Sequence, residues 1–260
     1  MSVTDNDDWL HSSIGRSTPD AITVRGLDLA TEVMGEMSFA DLAFLLAADR
    51  MPSDGESKMF NAVLTALADH GLTPMALAAR LTYTGAPESL QGAIAAGLLG
   101  AGSVFLGPVE DTARFLHATL EEIPEVEQTN RATLEEAAKE AVAAVLLDGH
   151  RIPGLGHPIH RETDPRTPRL YQLANETGLL GPHLRLLKLV AAAYEEETDK
   201  KLPVNGAGAA GAVLADLGFP PALTRGFALL ARVAGLIGHL AEEAEHPIGM
   251  RLWKEIDERS

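Results

Sequence analysis

One stretch of the sequence, residues 151–169, is rich in residue types that bind anions and transfer protons. It reads RIPGLGHPIHRETDPRTPR and contains two histidines, His157 and His160. It also contains four arginines: Arg151, Arg161, Arg166 and Arg169. Because the whole chain has a formal net charge of −16, this local excess of cationic groups predicts a site that binds anions.

Two turns frame the first histidine. The Pro-Gly-Leu-Gly of residues 153–156 predicts a tight, exposed loop directly before His157. Asp164-Pro165-Arg166 predicts a second turn, which presents a guanidinium, the group best suited to hold a carboxylate with two hydrogen bonds. The pattern indicates an acid–base histidine beside a carboxylate-binding arginine. The alternative on composition alone is a solvated Pro/Gly-rich linker between helices.

This stretch resembles the citrate synthase signature, in which a Gly-His precedes an Asp-Pro-Arg by a few residues. Here Gly156-His157-Pro158-Ile159 comes before Asp164-Pro165-Arg166, and the residues before Gly156 are similar to that family's loop. With 260 residues, the chain is much shorter than a typical citrate synthase. In length and at its ends it is closer to citryl-CoA lyase and to the citrate-synthase-like C-terminal part of ATP-citrate lyase.

The composition narrows the class of protein. A chain of 260 residues can bury a substantial core, and its wealth of alanine, leucine and glutamate predicts an all-α fold. It contains no cysteine, which excludes disulfides and thiolate chemistry and is typical of the reducing cytoplasm. The negative charge argues against nucleic acid and anionic membranes as partners. No apolar run approaches the length needed to cross a bilayer, and the acidic N-terminus is not a secretory signal.

Helical periodicity places the anion-binding stretch between amphipathic helices. Ser38 is the predicted cap of a helix over Phe39–Ala48, and residues 21–25 predict the one short strand. Further helices are predicted over residues 57–70, 73–80, 88–99, 110–123, 130–147, 168–178, 182–201, 205–217 and 220–245. The Ala/Gly-rich helix over 88–99 is predicted to be buried. His246-Pro247 should end the last helix and leave a charged tail.

Three residues outside the stretch are also candidates for the site. His70 follows Asp69 at a helix end, where the helix dipole alone would favour it. Arg232 lies in an almost wholly apolar run, which is unfavourable unless it meets an internal acid or a ligand carboxylate. Arg251 comes just after the His-Pro break.

Two further patterns favour structural explanations. Residues 206–211, Gly-Ala-Gly-Ala-Ala-Gly, match GxGxxG but lack the preceding strand of a dinucleotide-binding unit, so we expect a closely packed helix. His239, Glu242, Glu243 and His246 share one helical face. They could seed a metal site, but the second such pair that a di-metal bundle needs is missing, so a solvated face is favoured and no metal is expected.

The resemblance implies a role for each candidate. His157 would act on the oxaloacetate carbonyl, and Arg166, Arg232 and His70 would bind its carboxylates. Arg251 would reach the site of a neighbouring subunit, which implies a homodimer, and Arg161 would contact a coenzyme A phosphate. The adenine would be held by Pro153, Gly154, Leu155 and Gly156.

Two positions depart from the family pattern. Val104-Phe105-Leu106-Gly107 stands where the family has Leu-His-Gly-Gly, so Phe105 replaces the enol-stabilising histidine, as the short lyase branch also looks to do. Pro203-Val204-Asn205 stands in place of Asn-Val-Asp, so Asn205 replaces the catalytic aspartate. An amide cannot take up a proton at neutral pH, and its loss as a base should slow condensation by roughly 10² to 10⁴. It can still donate a hydrogen bond to a thioester oxygen.

These features favour cleavage of citryl-CoA to acetyl-CoA and oxaloacetate, with His157 as the base. Two alternatives stay open: a related enzyme condensing another acyl-CoA or 2-oxo acid, and a non-catalytic binder of coenzyme A and a dicarboxylate. The resemblance implies the all-α citrate synthase fold, with a large domain from residues 1–105 and 215–260 and a small domain from 106–214. The active site would lie in the cleft between them.

Overall fold

The computed structural model describes residues 12–260, which fall into two compact units divided between Asn61 and Ala62. The acidic N-terminal segment, for which the sequence predicts no secretory signal, lies outside the described residues. The predicted domain limits at 105/106 and 214/215 both fall within the second unit, and that division stays a prediction.

The first unit contains a small antiparallel sheet that the sequence analysis recognised only in part. Its strands are β1 (Gly15–Ser17), β2 (Ile22–Val24) and β3 (Leu27–Asp28), in the order β1-β2-β3. Only the region of β2 was predicted, because strands of two or three residues are too short to show alternation. A π-helical turn over Leu29–Val33 follows.

Helix α1 (Phe39–Ala48) completes the first unit together with the start of α2 (Asp54–Ala68). The predicted cap is confirmed, since the Ser38 side chain accepts a hydrogen bond from the backbone N–H of Asp41. Phe44 and Phe60 pack edge to face in the core, with ring centroids 5.5 Å apart.

The second unit is helical, so the all-α class is confirmed. After α2, its helices are α3 (Pro74–Gly85), α4 (Leu90–Leu99), α5 (Gly107–Glu121), α6 (Arg131–Leu147), α7 (Arg166–Thr177), α8 (Pro182–Thr198), α9 (Gly206–Asp216), α10 (Pro221–Glu245) and α11 (Gly249–Asp257). Each predicted helix has a counterpart with bounds shifted by a few residues. The predicted end of the long helix at His246-Pro247 is confirmed, and the charged tail after it forms α11.

Helix α4, which the composition predicted to be buried, is buried on one face only. Ala93 and Gly97 are buried, and Ala93 packs in a cluster with Ala79, Leu236 and Leu240. Leu99, in contrast, is 85% exposed, so the expectation of a wholly buried helix is wrong. Alanine and glycine allow close approach on one face without requiring burial of the other.

Helix α9 lies at the centre of the second unit, packed against α5 and α8. Its glycines allow this packing. A Cβ on Gly208 would lie 2.5 Å from the Cα of Gly154, and one on Gly211 would lie 2.2 Å from the carbonyl oxygen of Val109. A single β-bridge from Leu155 to Val204 precedes the helix. The prediction that the GxGxxG pattern serves close packing is therefore confirmed.

Helix α10 runs along α3, α4 and α5. By length and composition alone it is long and apolar enough to cross a membrane, with a mean hydropathy of 1.2, so the expectation that no apolar run reaches that length is wrong. Core helices of water-soluble proteins pass the same test, and part of this helix is buried within the unit. The absence of a membrane partner stays a prediction.

Candidate active site

Three histidines of the second unit come together in one cluster, which we call the histidine cluster: His70, His157 and His160. His70 follows the end of α2, and the other two lie in the loop between α6 and α7. Ring centroids are 5.2 Å apart for His70 and His157, 5.6 Å for His70 and His160, and 4.5 Å for His157 and His160. The structure thus joins the predicted His70 and His157 and adds His160, to which the sequence analysis gave no role.

Local hydrogen bonding determines which nitrogen of His157 is protonated. Its Nδ1 accepts hydrogen bonds from the backbone N–H groups of Ile159, at 3.1 Å, and His160, at 3.0 Å. A ring nitrogen that accepts cannot also hold a proton, so neutral His157 has its proton on Nε2. In this arrangement His157 donates a hydrogen bond to whatever binds in front of Nε2. The predicted role as a base would require Nδ1 to give up both backbone hydrogen bonds.

The Asp164-Pro165-Arg166 turn is held by its own charges. The guanidinium of Arg166 donates from Nε to Oδ1 of Asp164, at 3.0 Å, and from Nη2 to Oδ2, at 2.7 Å. The N–H of Gly206, at the start of α9, also donates to Oδ2 of Asp164, at 2.7 Å. Burial opposes ionisation of Asp164, but these hydrogen bonds outweigh it and hold the pKa of the carboxyl well below its usual value.

Arg166 therefore presents less of its guanidinium to a ligand than the sequence implied. One edge of the fork is occupied by Asp164, and Nη1 reaches the carbonyl oxygen of Ala66 at 3.4 Å. The side chain keeps 19% of its surface exposed. What remains for an anion is the edge that faces away from Asp164.

Arg232 is buried near Asp69, the residue before His70, and its pairing is incomplete. It is 4% exposed, and neither its Nε nor its Nη1 has a hydrogen-bond partner among the described residues. The carboxylate of Asp69, next to His70 in the chain, lies 3.8 Å from Nη1, which is an ion pair without a hydrogen bond. Burial lowers the pKa of Arg232, Asp69 opposes that shift, and Arg166 adds to it. An additional anion here would complete the pairing.

The charges around the cluster favour neutral histidines. Burial lowers the pKa of His70, and the nearby Arg166 guanidinium lowers it further. Burial also lowers the pKa of His157, with His160, His70 and Arg166 acting in the same direction. Asp164 opposes both shifts. The charge of Arg166 therefore acts on His70, on His157 and on Arg232, although these residues lie far apart in the sequence.

Asn205 links α9 to the loop that carries His157. Its Oδ1 accepts from the N–H of Gly208 at 2.7 Å, so it caps α9, and its Nδ2 donates to the carbonyl oxygen of Gly156 at 2.8 Å. The residue is 8% exposed. One amide hydrogen remains for a ligand, so the predicted role as a donor to a thioester oxygen is compatible with this geometry and stays a prediction.

The predicted adenine loop is held by backbone pairing. Gly154 and Gly156 adopt positive φ angles of 83° and 80°, which glycine tolerates best. The N–H of Gly156 donates to Pro203 at 2.8 Å, and the N–H of Asn205 donates to Gly154 at 2.9 Å. These bonds join residues 153–156 to residues 203–205. The role in binding adenine stays a prediction.

Three predicted site residues form no hydrogen bond, ion pair or ring contact with the histidine cluster among the described residues. Arg161 is exposed, and Phe105 is 39% exposed in the turn before α5. Arg251 lies on α11, where its side chain is 82% exposed and pairs with Glu255. A role for Arg251 would require a second chain. The three assignments stay predictions.

The predicted solvated face of α10 is wrong for two of its four residues. Glu243 is 3% exposed and accepts from Nη1 of Arg80 at 3.1 Å and from the N–H groups of Ile248 and Gly249. His239 contacts Arg80 through Nδ1, at 3.3 Å, and Asp69 through Nε2, at 2.9 Å. The sequence spacing showed that these residues share one face. It could not show that Arg80, which is distant in the sequence, pairs with both Glu243 and His239.

The histidine cluster also has the spacing of a metal site, since one ring nitrogen of each residue lies within 4.8 Å of the others. The tautomer of His157 opposes that use. A metal needs a nitrogen lone pair, and the hydrogen bonds to Nδ1 leave Nε2 protonated. The arrangement is better suited to hydrogen bonding and proton transfer.

A cavity of about 590 Å³ lies next to the loop that carries Arg161 and to the segment before Asn205. Its wall includes Glu162 and Thr163, which follow Arg161 in the chain, and Val204, which forms a β-bridge with Leu155. The same wall contains three cationic side chains: Arg131, Arg185 and Lys188. None of the predicted site residues lines it.

The chain matches a known protein family over most of its length. Residues 40–254 match the family described as citrate synthase, C-terminal domain. The chain therefore belongs to the citrate synthase family. Among solved structures, citryl-CoA lyase from Hydrogenobacter thermophilus is 32% identical, with a TM-score of 0.80 over 90% of this chain and 86% of that chain.

More distant relatives share the fold over longer chains. ATP citrate lyase from Methanosaeta concilii, solved with (3S)-citryl-CoA, is 22% identical with a TM-score of 0.74, covering 92% of this chain and 41% of that one. A citrate synthase-like protein from Aspergillus oryzae is 26% identical over 215 residues, 80% of this chain and 44% of that protein. A probable ATP-citrate synthase from Dictyostelium discoideum is 24% identical over 259 residues, 92% of this chain and 39% of that protein. The chain thus spans less than half the length of these two curated relatives.

Proposed function

We propose that the protein cleaves citryl-CoA into acetyl-CoA and oxaloacetate. The observation that carries the proposal is the buried, incompletely paired guanidinium of Arg232 beside Arg166 and the histidine cluster. A buried cation with two nitrogens that lack hydrogen-bond partners is unfavourable in the free protein, and a dicarboxylate would complete its pairing. The similarity to a citryl-CoA lyase over most of both chains supports the same reaction.

The cationic groups would hold the oxaloacetate half of the substrate. Arg232 offers its free N–H groups to one carboxylate, and Arg166 offers the edge that Asp164 leaves free. His157 offers its Nε2–H to the oxygen on the carbon that is cleaved. This arrangement fixes the bond that breaks relative to the groups that assist it.

The chemistry is a retro-Claisen cleavage. The tertiary hydroxyl of citryl-CoA loses its proton, its oxygen forms the carbonyl of oxaloacetate, and the carbon–carbon bond breaks. The electron pair moves into the thioester, which becomes the acetyl-CoA enolate. The free amide hydrogen of Asn205 would stabilise the thioester oxygen as it gains charge. A proton then adds to the enolate carbon, so the reaction is balanced without another reactant.

The coenzyme A portion would bind along residues 153–156 and Arg161, as the family resemblance implies. The adjoining cavity offers a second set of cations for its phosphates. The affinity of coenzyme A for Arg161→Gln and Arg131→Gln variants, measured by calorimetry, separates the two locations. If only Arg161→Gln loses affinity for coenzyme A, the phosphates bind at the loop. If only Arg131→Gln loses affinity, the phosphates bind in the cavity.

The residue at position 205 favours cleavage over condensation. Condensation begins by removal of a carbon-bound proton from acetyl-CoA, for which an amide cannot serve as the base. Cleavage begins at a hydroxyl, whose proton is far easier to remove. We therefore propose cleavage as the catalysed direction.

The direct test is release of acetyl-CoA from synthetic citryl-CoA, followed by chromatography, with melting curves in oxaloacetate, citrate and coenzyme A. We expect turnover and stabilisation by oxaloacetate. Stabilisation without turnover would indicate a non-catalytic binder. Condensation of a different acyl-CoA or 2-oxo acid would indicate the related condensing enzyme.

We also propose a homodimer in which Arg251 completes the site of the neighbouring chain. Mixing Arg251→Ala with His157→Leu protein tests this. If Arg251 crosses over, a mixed dimer contains one site with both residues intact, so activity should recover to a fraction of the native level. If no activity returns although mixed dimers form, Arg251 does not act across the interface. Location in the cytoplasm stays an expectation from the absence of cysteine.

A further inference from the structure

The proposed cleavage needs a group that takes the hydroxyl proton of citryl-CoA, and His157 is poorly placed for it. Its Nδ1 accepts from two backbone N–H groups, and its Nε2 is protonated as a consequence. A ring in this state donates a hydrogen bond at the substrate oxygen. A neighbouring group must therefore accept the proton.

His70 is also a poor acceptor. Burial and the Arg166 guanidinium both lower its pKa. Protonation would place a third cation beside Arg166 and the incompletely paired Arg232. His70 is better suited to remain neutral and to hydrogen-bond the substrate.

His160 has the ring that lies nearer to His157, and one turn carries both residues. Its ring stacks on His157 with an interplanar angle of 28° and meets His70 edge-on at 74°. The ring nitrogens of His160 have no hydrogen-bond partner within the part of the chain described, residues 12–260. The backbone N–H of His160 donates to Nδ1 of His157, so one turn positions both rings. One ring nitrogen of His160 therefore lies within 4.8 Å of one ring nitrogen of His157.

We propose that His160 is a catalytic residue that accepts the hydroxyl proton of citryl-CoA while His157 donates its Nε2–H to the same oxygen. The inference rests on the proposed cleavage reaction. The oxygen passes its proton to His160 and forms the carbonyl, and the carbon–carbon bond breaks to give the enolate. The protonated His160 then returns the proton to the enolate carbon through water, which restores both residues.

The surroundings of His160 allow this step. The charged and titratable groups of the cluster are His70, His157, Arg166 and Asp164. The two histidines are kept neutral by burial, and Asp164 is ionised. Its negative charge acts to raise the pKa of His70 and of His157, which partly offsets the opposite effects of burial and Arg166.

Chemical rescue provides the test, because an added base can replace a missing proton acceptor but not a missing packing contact. In His160→Ala, we expect kcat for citryl-CoA cleavage to fall by roughly 10² to 10⁴, with KM changed only a few-fold. Added imidazole should restore activity in proportion to the concentration of its free base. The matched control, His150→Ala, removes an exposed histidine from the preceding loop and should retain native activity.

The more conservative His160→Gln variant guards against a folding defect. It should show the same loss of kcat with a native melting temperature and native oxaloacetate binding. Activity within ten-fold of native in both variants would overturn the assignment. So would a loss that imidazole does not restore, or one that accompanies lost oxaloacetate binding. If the native protein cleaves no citryl-CoA, the proposed function fails and the role of His160 fails with it.

Discussion

Two buried arginines of the second unit, Arg80 and Arg232, show opposite solutions to the same problem. Arg80 is 2% exposed and Arg232 is 4% exposed. Arg80 pairs through Nη1 with Glu243, and its Nη2 forms an ion pair with Glu242. Among the described residues, Nε and Nη1 of Arg232 have no hydrogen-bond partner, and Asp69 lies 3.8 Å from Nη1. One guanidinium is neutralised by the protein, and the other keeps capacity for a ligand.

The difference separates a structural charge from a binding charge. A buried charge that loses its partner typically destabilises a protein by about 3–5 kcal/mol, so a chain retains an unpaired one only when something else offsets it. Around Arg80, the offset is internal and joins α3, α10 and the start of α11. Around Arg232, the offset would come from the substrate.

The largest expected effect follows from removing the partner of Arg80. In Glu243→Ala, Arg80 loses its buried partner and the N–H groups of Ile248 and Gly249 lose their acceptor. We expect the free energy of unfolding to fall by about 3–5 kcal/mol in urea denaturation. Glu242→Ala, at a position whose side chain is 60% exposed, should lower it by less than about 1 kcal/mol. Equal effects would show that Arg80 is not paired as described.

Arg232→Met should weaken ligand binding without lowering stability, the reverse of the effect of Glu243→Ala. Because the free guanidinium is incompletely paired, the unfolding free energy should stay the same or rise. Affinity for oxaloacetate should fall by about 2–5 kcal/mol, measured by calorimetry. A large loss of stability with native affinity would make Arg232 a structural residue like Arg80.

Arg166 is an intermediate case, because only one edge of its guanidinium is paired. A substitution at Gly206 can test this pairing without changing Arg166 itself. A Cβ at Gly206 would lie 2.3 Å from Nε of Arg166. Gly206→Ala should therefore displace the guanidinium from Asp164, with a loss of roughly 1–3 kcal/mol in stability and weaker oxaloacetate binding. Gly226→Ala, also at a helical glycine but with nothing within 4 Å, should leave binding unchanged and stabilise slightly. Identical behaviour of the two variants would contradict the close contact.

The smallest effect concerns the pH dependence of stability. The pKa values of His70 and His157 are lowered from 6.5, chiefly by burial. Just below pH 6.5 the unfolded chain therefore binds more protons than the folded protein, so the unfolding free energy should fall as the pH is lowered through 6.5. Denaturation between pH 5 and 7.5 should show this slope, and a His70→Gln/His157→Gln variant should flatten it. An unchanged slope in the double variant would place its origin elsewhere.

Much of the site was predictable where the functional residues lie in short sequence motifs. The Gly-His and Asp-Pro-Arg motifs identified His157 and Arg166, and an isolated charge in an apolar run identified Arg232. The caps at Ser38 and Thr73 follow from the same local rules, since each side chain accepts from an N–H in the first turn.

Long-range partners were not predictable. Arg80 and Glu243 are separated by 163 residues, so no local spacing indicates their contact. The tautomer of His157 depends on the geometry of one turn, which residue types do not determine. His160 joined the site for the same reason, because only the path of the backbone places its ring on that of His157.

The glycines of α9 show that one sequence motif can satisfy different steric requirements. In nucleotide-binding folds such spacing lets a main chain approach a pyrophosphate. Here the first glycine makes room for a guanidinium, the second for another loop's backbone, and the third for a carbonyl oxygen of a neighbouring helix. A motif of small residues therefore records only that something must come near. What comes near has to be found from the elements on either side.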